Sequence, residues 1–276
     1  GRFWTSTPNR TSLRLTNAHW AVAVLRRLGI QERPHGGCCC QLRDGGTGNL
    51  CGRPLDLNLC HPAICEAGGG RQRAHKAVCA LLFRLLKAAG AYVELETVIP
   101  EMFVRHDDGN IAERRMDLEV RWPSGKRHLL DITIRSPFAQ DIPPDAHPGL
   151  AAERGEEDKK NHYGEAVSTI AIEPGGRMGV EALGALAQLA RDAANLSAAM
   201  PGTCKAGRFR VATARADIEA EVARCDASRV LASLGGEATQ TLGWATARAQ
   251  QGGPPDSSAI RAPATAGCKP PQPARH

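Results

Sequence analysis

Residues 114–136, RRMDLEVRWPSGKRHLLDITIRS, constrain the fold more than any other stretch. Polar and apolar residues alternate on both sides of Pro123-Ser124-Gly125, the pattern of two half-buried strands around a short turn. In the first strand Asp117, Glu119 and Arg121 share one face, and Leu118, Val120 and Trp122 the other. In the second, Asp131, Thr133 and Arg135 share a face opposite Leu130, Ile132 and Ile134. A three-residue hairpin loop takes a type I turn followed by a left-handed residue, which Gly125 supplies. Such a loop pairs Trp122 with Lys126, and the register then sets Asp117 directly across from Asp131. A two-residue loop would send the two carboxylates to opposite faces, so their meeting depends on the turn.

Two carboxylates side by side repel, and one pKa rises unless a cation lies between them. Mg²⁺ suits that arrangement, taking one or two carboxylates and completing its octahedron with water and phosphate. Glu96, in the preceding strand candidate, is a third possible ligand. The structural alternative is an acidic, solvated sheet face.

Around this hairpin the pattern predicts a helix from Thr16 or Asn17 through Arg27 and a second from Arg71 to Ala89. In the latter, Val78, Leu81, Leu82, Leu85 and Leu86 recur at helical spacing before Gly90. Strands are expected at Tyr92–Ile99, Met116–Trp122, His128–Ile134 and Ser168–Ile172, with a charged helix from Ala151 to about Ala166 before the last. Ala-rich helices follow over 180–199 and 208–233. Residues 1–35 then read as a helical lead-in, 36–70 as a metal-held knuckle, 71–200 as a mixed α/β core and 201–234 as a C-terminal helix. The Pro- and Gly-rich stretch 235–276 reads as a disordered tail.

The net charge of +6 is unevenly spread: residues 1–90 carry 13 Lys and Arg against 4 Asp and Glu, whereas the rest is slightly acidic. A basic first third suits a polyanion such as nucleic acid. No apolar run reaches the roughly 18–20 residues of a membrane helix. No membrane partner is therefore expected.

Six of the ten cysteines, Cys38, Cys39, Cys40, Cys51, Cys60 and Cys65, fall within 28 residues. Nothing argues for the oxidising compartment that a disulfide framework needs, so metal binding is the better reading. Cys40, Cys51, His61 and Cys65 make three thiolates and one imidazole, a common closed zinc set that stabilises a segment with little core. His61-x3-Cys65 is the specific part; Cys39 and Cys60 compete as ligands, and Cys79 reads as core.

On the charged helix Lys160 and Tyr163 are three apart and share a face. Beside a metal, such a lysine orients water or stabilises charge developing on phosphorus, and the tyrosine can hydrogen-bond a phosphate. Together these landmarks resemble the restriction-like endonuclease region at the C-terminal end of early-branching non-LTR retrotransposon polyproteins. That family joins a Cys-Cys-His-Cys knuckle to a PD-(D/E)xK nuclease. The resemblance covers roughly residues 15–200. It rests on Cys51-Gly-Arg-Pro-Leu-Asp, His61-x3-Cys65, the Gly-Gly run followed by Arg73 and His75, Glu96, Arg115-Met-Asp117, Asp131 and Lys160-x2-Tyr163.

The resemblance implies a PD-(D/E)xK restriction-endonuclease-like core of helix, three strands, helix and strand, with the knuckle before it and helices after. It further implies a nuclear, Mg²⁺-dependent nuclease that nicks DNA and exposes a 3′ hydroxyl, with RNA as a secondary partner. A reverse transcriptase module in the same or a longer polypeptide extends that end. Asp117, Asp131, Glu96, Lys160 and Tyr163 are its implied catalytic residues, with Asp117 and Asp131 as metal ligands. Met116 replaces the usual proline, and Thr133 stands where Asp-x-Lys has its lysine, so Lys160 supplies the charge from the helix, with Lys159 as competitor. His162 is a lesser candidate for moving a proton, and His75 is expected in packing or phosphate contact. The rival from another class is a non-catalytic nucleic-acid-binding remnant that keeps the knuckle and basic residues on a nuclease scaffold.

Overall fold

A computed structural model describes residues 13, 15–28, 39–55, 60–105, 109–143, 145–199 and 209–234. The expected N-terminal loop up to residue 11, the tail at 235–276 and Cys38 lie outside the described residues. Helix α1 (Asn17–Leu28) and the short α2 (Cys60–Ile64) precede α3 (Gly70–Ala88). Strands β1 (Tyr92–Val98), β2 (Val104–Arg105), β3 (Ile111–Ala112), β4 (Arg115–Arg121) and β5 (Arg127–Ile134) follow. Helix α4 (Leu150–Tyr163), strand β6 (Val167–Ile172) and helices α5 (Val180–Ala199) and α6 (Val211–Leu234) complete the order. The small β2–β3 hairpin has no counterpart in the sequence reading, because two-residue strands carry no readable period.

Two compact units result, one of Leu13 with Arg71–Cys225 and one of Leu15–Gly70 with the chain from Asp226. The first is mixed α/β, built on a four-stranded sheet in the order β1–β4–β5–β6. Strands β1, β4 and β5 run antiparallel to their neighbours, while β6 lies parallel to β5. A parallel neighbour requires a crossover, and α4 supplies it.

The turn chemistry sets the hairpin register. Trp122 N–H donates to Lys126 O at 2.8 Å, Gly125 N–H donates to Trp122 O at 2.9 Å, and Gly125 has φ 84°. Leu118 pairs with Leu130 and Arg121 with Arg127, the register expected from a three-residue loop. Leu118, Val120, Leu130, Ile132, Ile170 and Ile172 then pack with Val78, Leu81, Leu82 and Leu86 of α3 and with Leu186 and Leu189 of α5. Truncating a fully buried member such as Leu130 to Ala should cost about 2–5 kcal/mol. Helix α3 stops where Gly90 turns left-handed at φ 95°, with Ala91 N–H reaching back to Leu86 O at 3.1 Å.

The alternation fails at one place. Met116 packs with Leu129, Val167 and Tyr163 in a separate cluster instead of joining Leu118, two residues on. Strand pairing skips Asp117 on both sides: β1 pairs through Leu95–Leu118 and Thr97–Met116, and the β4–β5 ladder ends at Leu118–Leu130. Glu96, which the register sets opposite Asp117, has φ 52°. This conformation costs a non-glycine residue about 1 kcal/mol or more.

In the second unit, Val22 of α1, Cys40, Leu42, Leu55 and Cys65 pack with Ala227, Val230, Leu231 and Leu234 of α6. Thr16 caps α1 through its Oγ1, which accepts from His19 N–H at 3.3 Å. Among the described residues no helix is long and apolar enough to cross a membrane.

Candidate functional sites

Among the described residues two groups of side chains have donor atoms within 4.8 Å of one another: Cys40, Cys51, His61 and Cys65, and His75, Cys79 and Asp117. Local backbone chemistry builds the first. Residues 39–54 fold back on themselves, with Cys40 N–H on Arg53 O at 2.8 Å and Cys51 N–H on Leu42 O at 2.8 Å. The fold-back brings Cys40 and Cys51 to the same end. Asp44 Oδ1 holds the tip by accepting from the N–H groups of Gly46 and Thr47 at 3.0 and 2.7 Å. The other two donors come from one helical turn, where Cys65 N–H bonds His61 O at 2.8 Å. Arg229 of α6 donates to the carbonyls of Ala63 and Cys65 and so satisfies that turn's C-terminal end.

The Cys40 and Cys65 sulfurs stand 3.9 Å apart, and Cys51 Sγ lies 3.3 Å from His61 Nε2. Burial, then the neighbouring thiols, push the Cys40 thiol up to about 12, and burial raises Cys65 as well. A cation among the sulfurs reverses that preference by favouring thiolates. The four converging donors are those expected from the spacing, and Cys39 and Cys60 stay out of the group. The cluster could hold a metal ion such as zinc.

The carboxylate site is organised differently from the sequence expectation. Asp117 Oδ2 accepts from Ile132 N–H at 2.7 Å, in place of a backbone ladder bond, and from His75 Nε2 at 3.0 Å. That hydrogen bond to Asp117, with a smaller one from Cys79, raises the His75 imidazolium to about 10. Asp131 is only 4% exposed and faces α4 instead. Lys159 Nζ lies 3.0 Å from each of its carboxylate oxygens but is aimed at Oδ1; Oδ2 is buried with no hydrogen-bond partner. Burial raises the Asp131 carboxyl, Lys159 opposes the shift and the charge of Asp117 adds to it. The two carboxylates therefore feel one another, yet each is held by a different helix.

Lys160 does not reach them. Its Nζ pairs with Glu165 Oε1 at 2.7 Å, and both side chains are exposed. The reason is helical phase. Gly155 of α4 sits 3.0 Å from Thr133 Cγ2 and 3.4 Å from Ala171 Cβ, measured from an added Cβ, so the helix lies against the sheet at that point. Lys159, one turn on, falls on the same side as Ala152, Gly155, Glu156 and Tyr163, while Lys160 is turned about 100° away. Thr133, at the Asp-x-Lys position, spends its side chain on this packing. Tyr163 is half-buried, with its ring centroid 5.5 Å from Lys159 Nζ, 5.2 Å from the Arg114 guanidinium and 4.5 Å from the His162 ring. Burial, then the charge of Asp131, raises the Tyr163 hydroxyl. Burial lowers His162, which is exposed beside Tyr163. Glu96 is exposed on β1, across from Asp117 in register.

No protein-family model matches this chain, and no curated protein matches it significantly. The geometry alone therefore bears on function. It adds three residues to the sequence-derived set. Lys159 was visible only as a competitor to Lys160, His75 as a packing or phosphate-contact residue, and Cys79 as core. Cys79 is indeed buried, but its Sγ lies 3.8 and 3.9 Å from the two ring nitrogens of His75. The available signal was the i,i+4 spacing of His75 and Cys79 on a helix.

Proposed function

We propose that this chain is a metal-dependent DNA endonuclease with a PD-(D/E)xK restriction-endonuclease-like core and a zinc-binding knuckle. Its role in that reading is the cutting module of a non-LTR retrotransposon-type protein, working in the nucleus beside a reverse transcriptase. One observation carries it: Asp131 is buried with Lys159 Nζ 3.0 Å from both carboxylate oxygens, and Oδ2 accepts no hydrogen bond. A buried unsatisfied carboxylate oxygen is costly, and a cation is what such an oxygen accommodates best. The order α3, β1, β4, β5, α4 and β6, with three antiparallel strands and a final parallel one, agrees with the core implied by the resemblance.

The donor set fits a divalent ion, because Asp131 offers an Oδ2 that accepts no hydrogen bond and Asp117 has an oxygen beyond the one bonded to Ile132 and His75. Asp131 and Asp117 would hold Mg²⁺. When bound, the ion supplies charge neutralisation at the phosphate and a more acidic water. The chain's own residues do the rest. Lys159 brings a positive charge to Asp131, suited to stabilising an anionic phosphoryl group as its charge grows. Tyr163 packs beside that ammonium and narrows its range of positions.

The non-catalytic binding reading draws on a different observation, the His75–Asp117 pair, which already satisfies one of the two carboxylates. Supercoiled plasmid incubated with the full chain and Mg²⁺ separates the two. The nuclease reading requires nicking that depends on the metal and is lost in Asp131→Ala while DNA binding persists. Binding without metal-dependent nicking favours the scaffold.

A further inference from the structure

The second donor group has no part in the reading above except through Asp117. We propose that His75, Cys79 and Asp117 bind a divalent transition-metal ion of the zinc and cobalt class, distinct from the ion of the knuckle.

The distances admit it. His75 Nε2 lies 3.0 Å from Asp117 Oδ2 and 3.9 Å from Cys79 Sγ, and all three donors fall within 4.8 Å of one another. Metal bonds of about 2.0–2.3 Å to nitrogen, oxygen and sulfur span separations of this size. The group is held in advance by its supports. His75 and Cys79 stand one turn apart on α3, a 19-residue helix locked into the core by Val78, Leu81 and Leu82. Asp117 is fixed from the other side by Ile132 N–H at 2.7 Å. The bond between His75 and Asp117 places a proton where an ion would bridge the same two atoms, so binding exchanges a proton for a metal.

Donor chemistry sets the class of ion. Mg²⁺ and Ca²⁺ take oxygen ligands, whereas an imidazole and a thiolate beside one carboxylate select zinc, cobalt and similar ions. The set also differs from the knuckle in being open. Three protein ligands leave a position for water, and the His75 and Asp117 side chains are 25% and 20% exposed, which gives the ion access. The sheet is bent around this point, since pairing skips Asp117 on both edges and Glu96 opposite is left-handed. Such distortions persist where neighbouring groups over-determine them.

Metal binding here stands apart from cleavage, although Asp117 belongs to both sites, so the readout is the metal itself. The full chain, stripped with chelator, receives one equivalent of Zn²⁺ to fill the knuckle and is then titrated with Co²⁺. A second equivalent should bind and give a thiolate-to-cobalt charge-transfer band in the near ultraviolet. Cys79→Ser should lose that band, and His75→Ala should weaken cobalt binding about tenfold or more. Both should keep one zinc per chain. Asp117→Asn, isosteric and without risk to packing, provides a third check through the same loss of affinity. A total of one metal per wild-type chain overturns the proposal, as does a second cobalt whose band survives Cys79→Ser. Absence of nicking by the wild-type chain, with the second cobalt bound and its band lost in Cys79→Ser, would count against the nuclease reading alone.

Discussion

The knuckle and the carboxylate site use titratable side chains in opposite ways. At the knuckle, Cys40, Cys51, His61 and Cys65 all turn inward, and each lies within 4.8 Å of the other three. At the sheet, Asp117 and Asp131 each have a partner of their own, His75 from α3 and Lys159 from α4. A closed set of four soft donors serves folding, because the described residues 39–55 bury little apolar surface beyond Cys40, Leu42 and Leu55. An incomplete set of hard donors, one with an oxygen that accepts no hydrogen bond, is poorly suited to stability and well suited to a transient ligand. The same contrast runs through the backbone. The knuckle is tied by ordinary turn bonds, while the sheet gives up ladder pairs at Asp117.

The largest effect that could break this comparison is metal removal. Chelation, or Cys65→Ser, should release about one zinc per chain and unfold residues 39–70, since structural zinc is worth about 10–16 kcal/mol of apparent binding energy in small domains. Amide exchange should rise across those residues while the β1–β4–β5–β6 sheet stays protected. Loss of protection in both regions together would show that they do not stand as separately stabilised units.

At the carboxylate site the expected signs are different. Lys159→Ala should lower cleavage about 10²- to 10³-fold, the usual cost of losing one charge-stabilising donor. Lys160→Ala, whose ammonium pairs with the exposed Glu165, should stay within about twofold. Plasmid nicking rates decide between them, and the reverse order would return the role to Lys160. Asp131→Asn should abolish cleavage yet stabilise the fold. Burial raises the folded-state carboxyl above its ordinary value of 3.8, so the penalty is absent below that pH. It grows as pH rises through the folded value and remains at neutrality. Relieving it, a gain of order 1 kcal/mol, should raise Tm by about 2–4 °C at pH 7.

His75 gives a smaller and pH-marked effect. Its folded pKa of about 10 stands above the ordinary 6.5, chiefly through the hydrogen bond to Asp117. The pair therefore contributes fully below pH 6.5, and the contribution fades as pH climbs through 10. Because both side chains are partly exposed, screening leaves roughly 1–2 kcal/mol. Chelated protein carrying His75→Ala should lose that much stability at pH 6 and almost none at pH 10.5, measured by urea unfolding.

What was legible in the sequence follows the range of the interactions. The hairpin register was readable because Pro123-Ser124-Gly125 specifies its own turn, and Trp122 and Lys126 then fix the pairs from Arg121–Arg127 to Leu118–Leu130, though not the expected Asp117–Asp131 pair. The knuckle donors were readable because the spacing of His61 and Cys65 matches one helical turn. The helix at 70–88 followed from its apolar stripe and Gly90. The choice between Lys159 and Lys160 was not readable, since it depends on Gly155 approaching Thr133 and Ala171, a contact between distant segments. Nor could alternation foresee its own failure at Met116, where Asp117 trades a ladder bond for Ile132 N–H and His75.

The finest test of the comparison concerns the surface beside the carboxylate site. Helix α3 contains no acidic residue, and Arg71, Arg73, Lys76, Arg84 and Lys87 on it are all exposed. Arg73 and Lys76 are three apart and share a side of the helix, turned away from that of His75. If DNA lies along this basic side of α3, its phosphates should meet these two side chains. Each phosphate contact releases counterions, and losing one reduces the slope of log affinity against log salt by about one. Arg73→Ala and Lys76→Ala should each flatten that slope by about one while weakening all DNA sequences alike. Arg191→Ala on α5, whose guanidinium is bonded to Gln188, should leave the slope unchanged. Equal slopes for all three variants would place the nucleic acid elsewhere and tie the basic character of α3 to solvation alone.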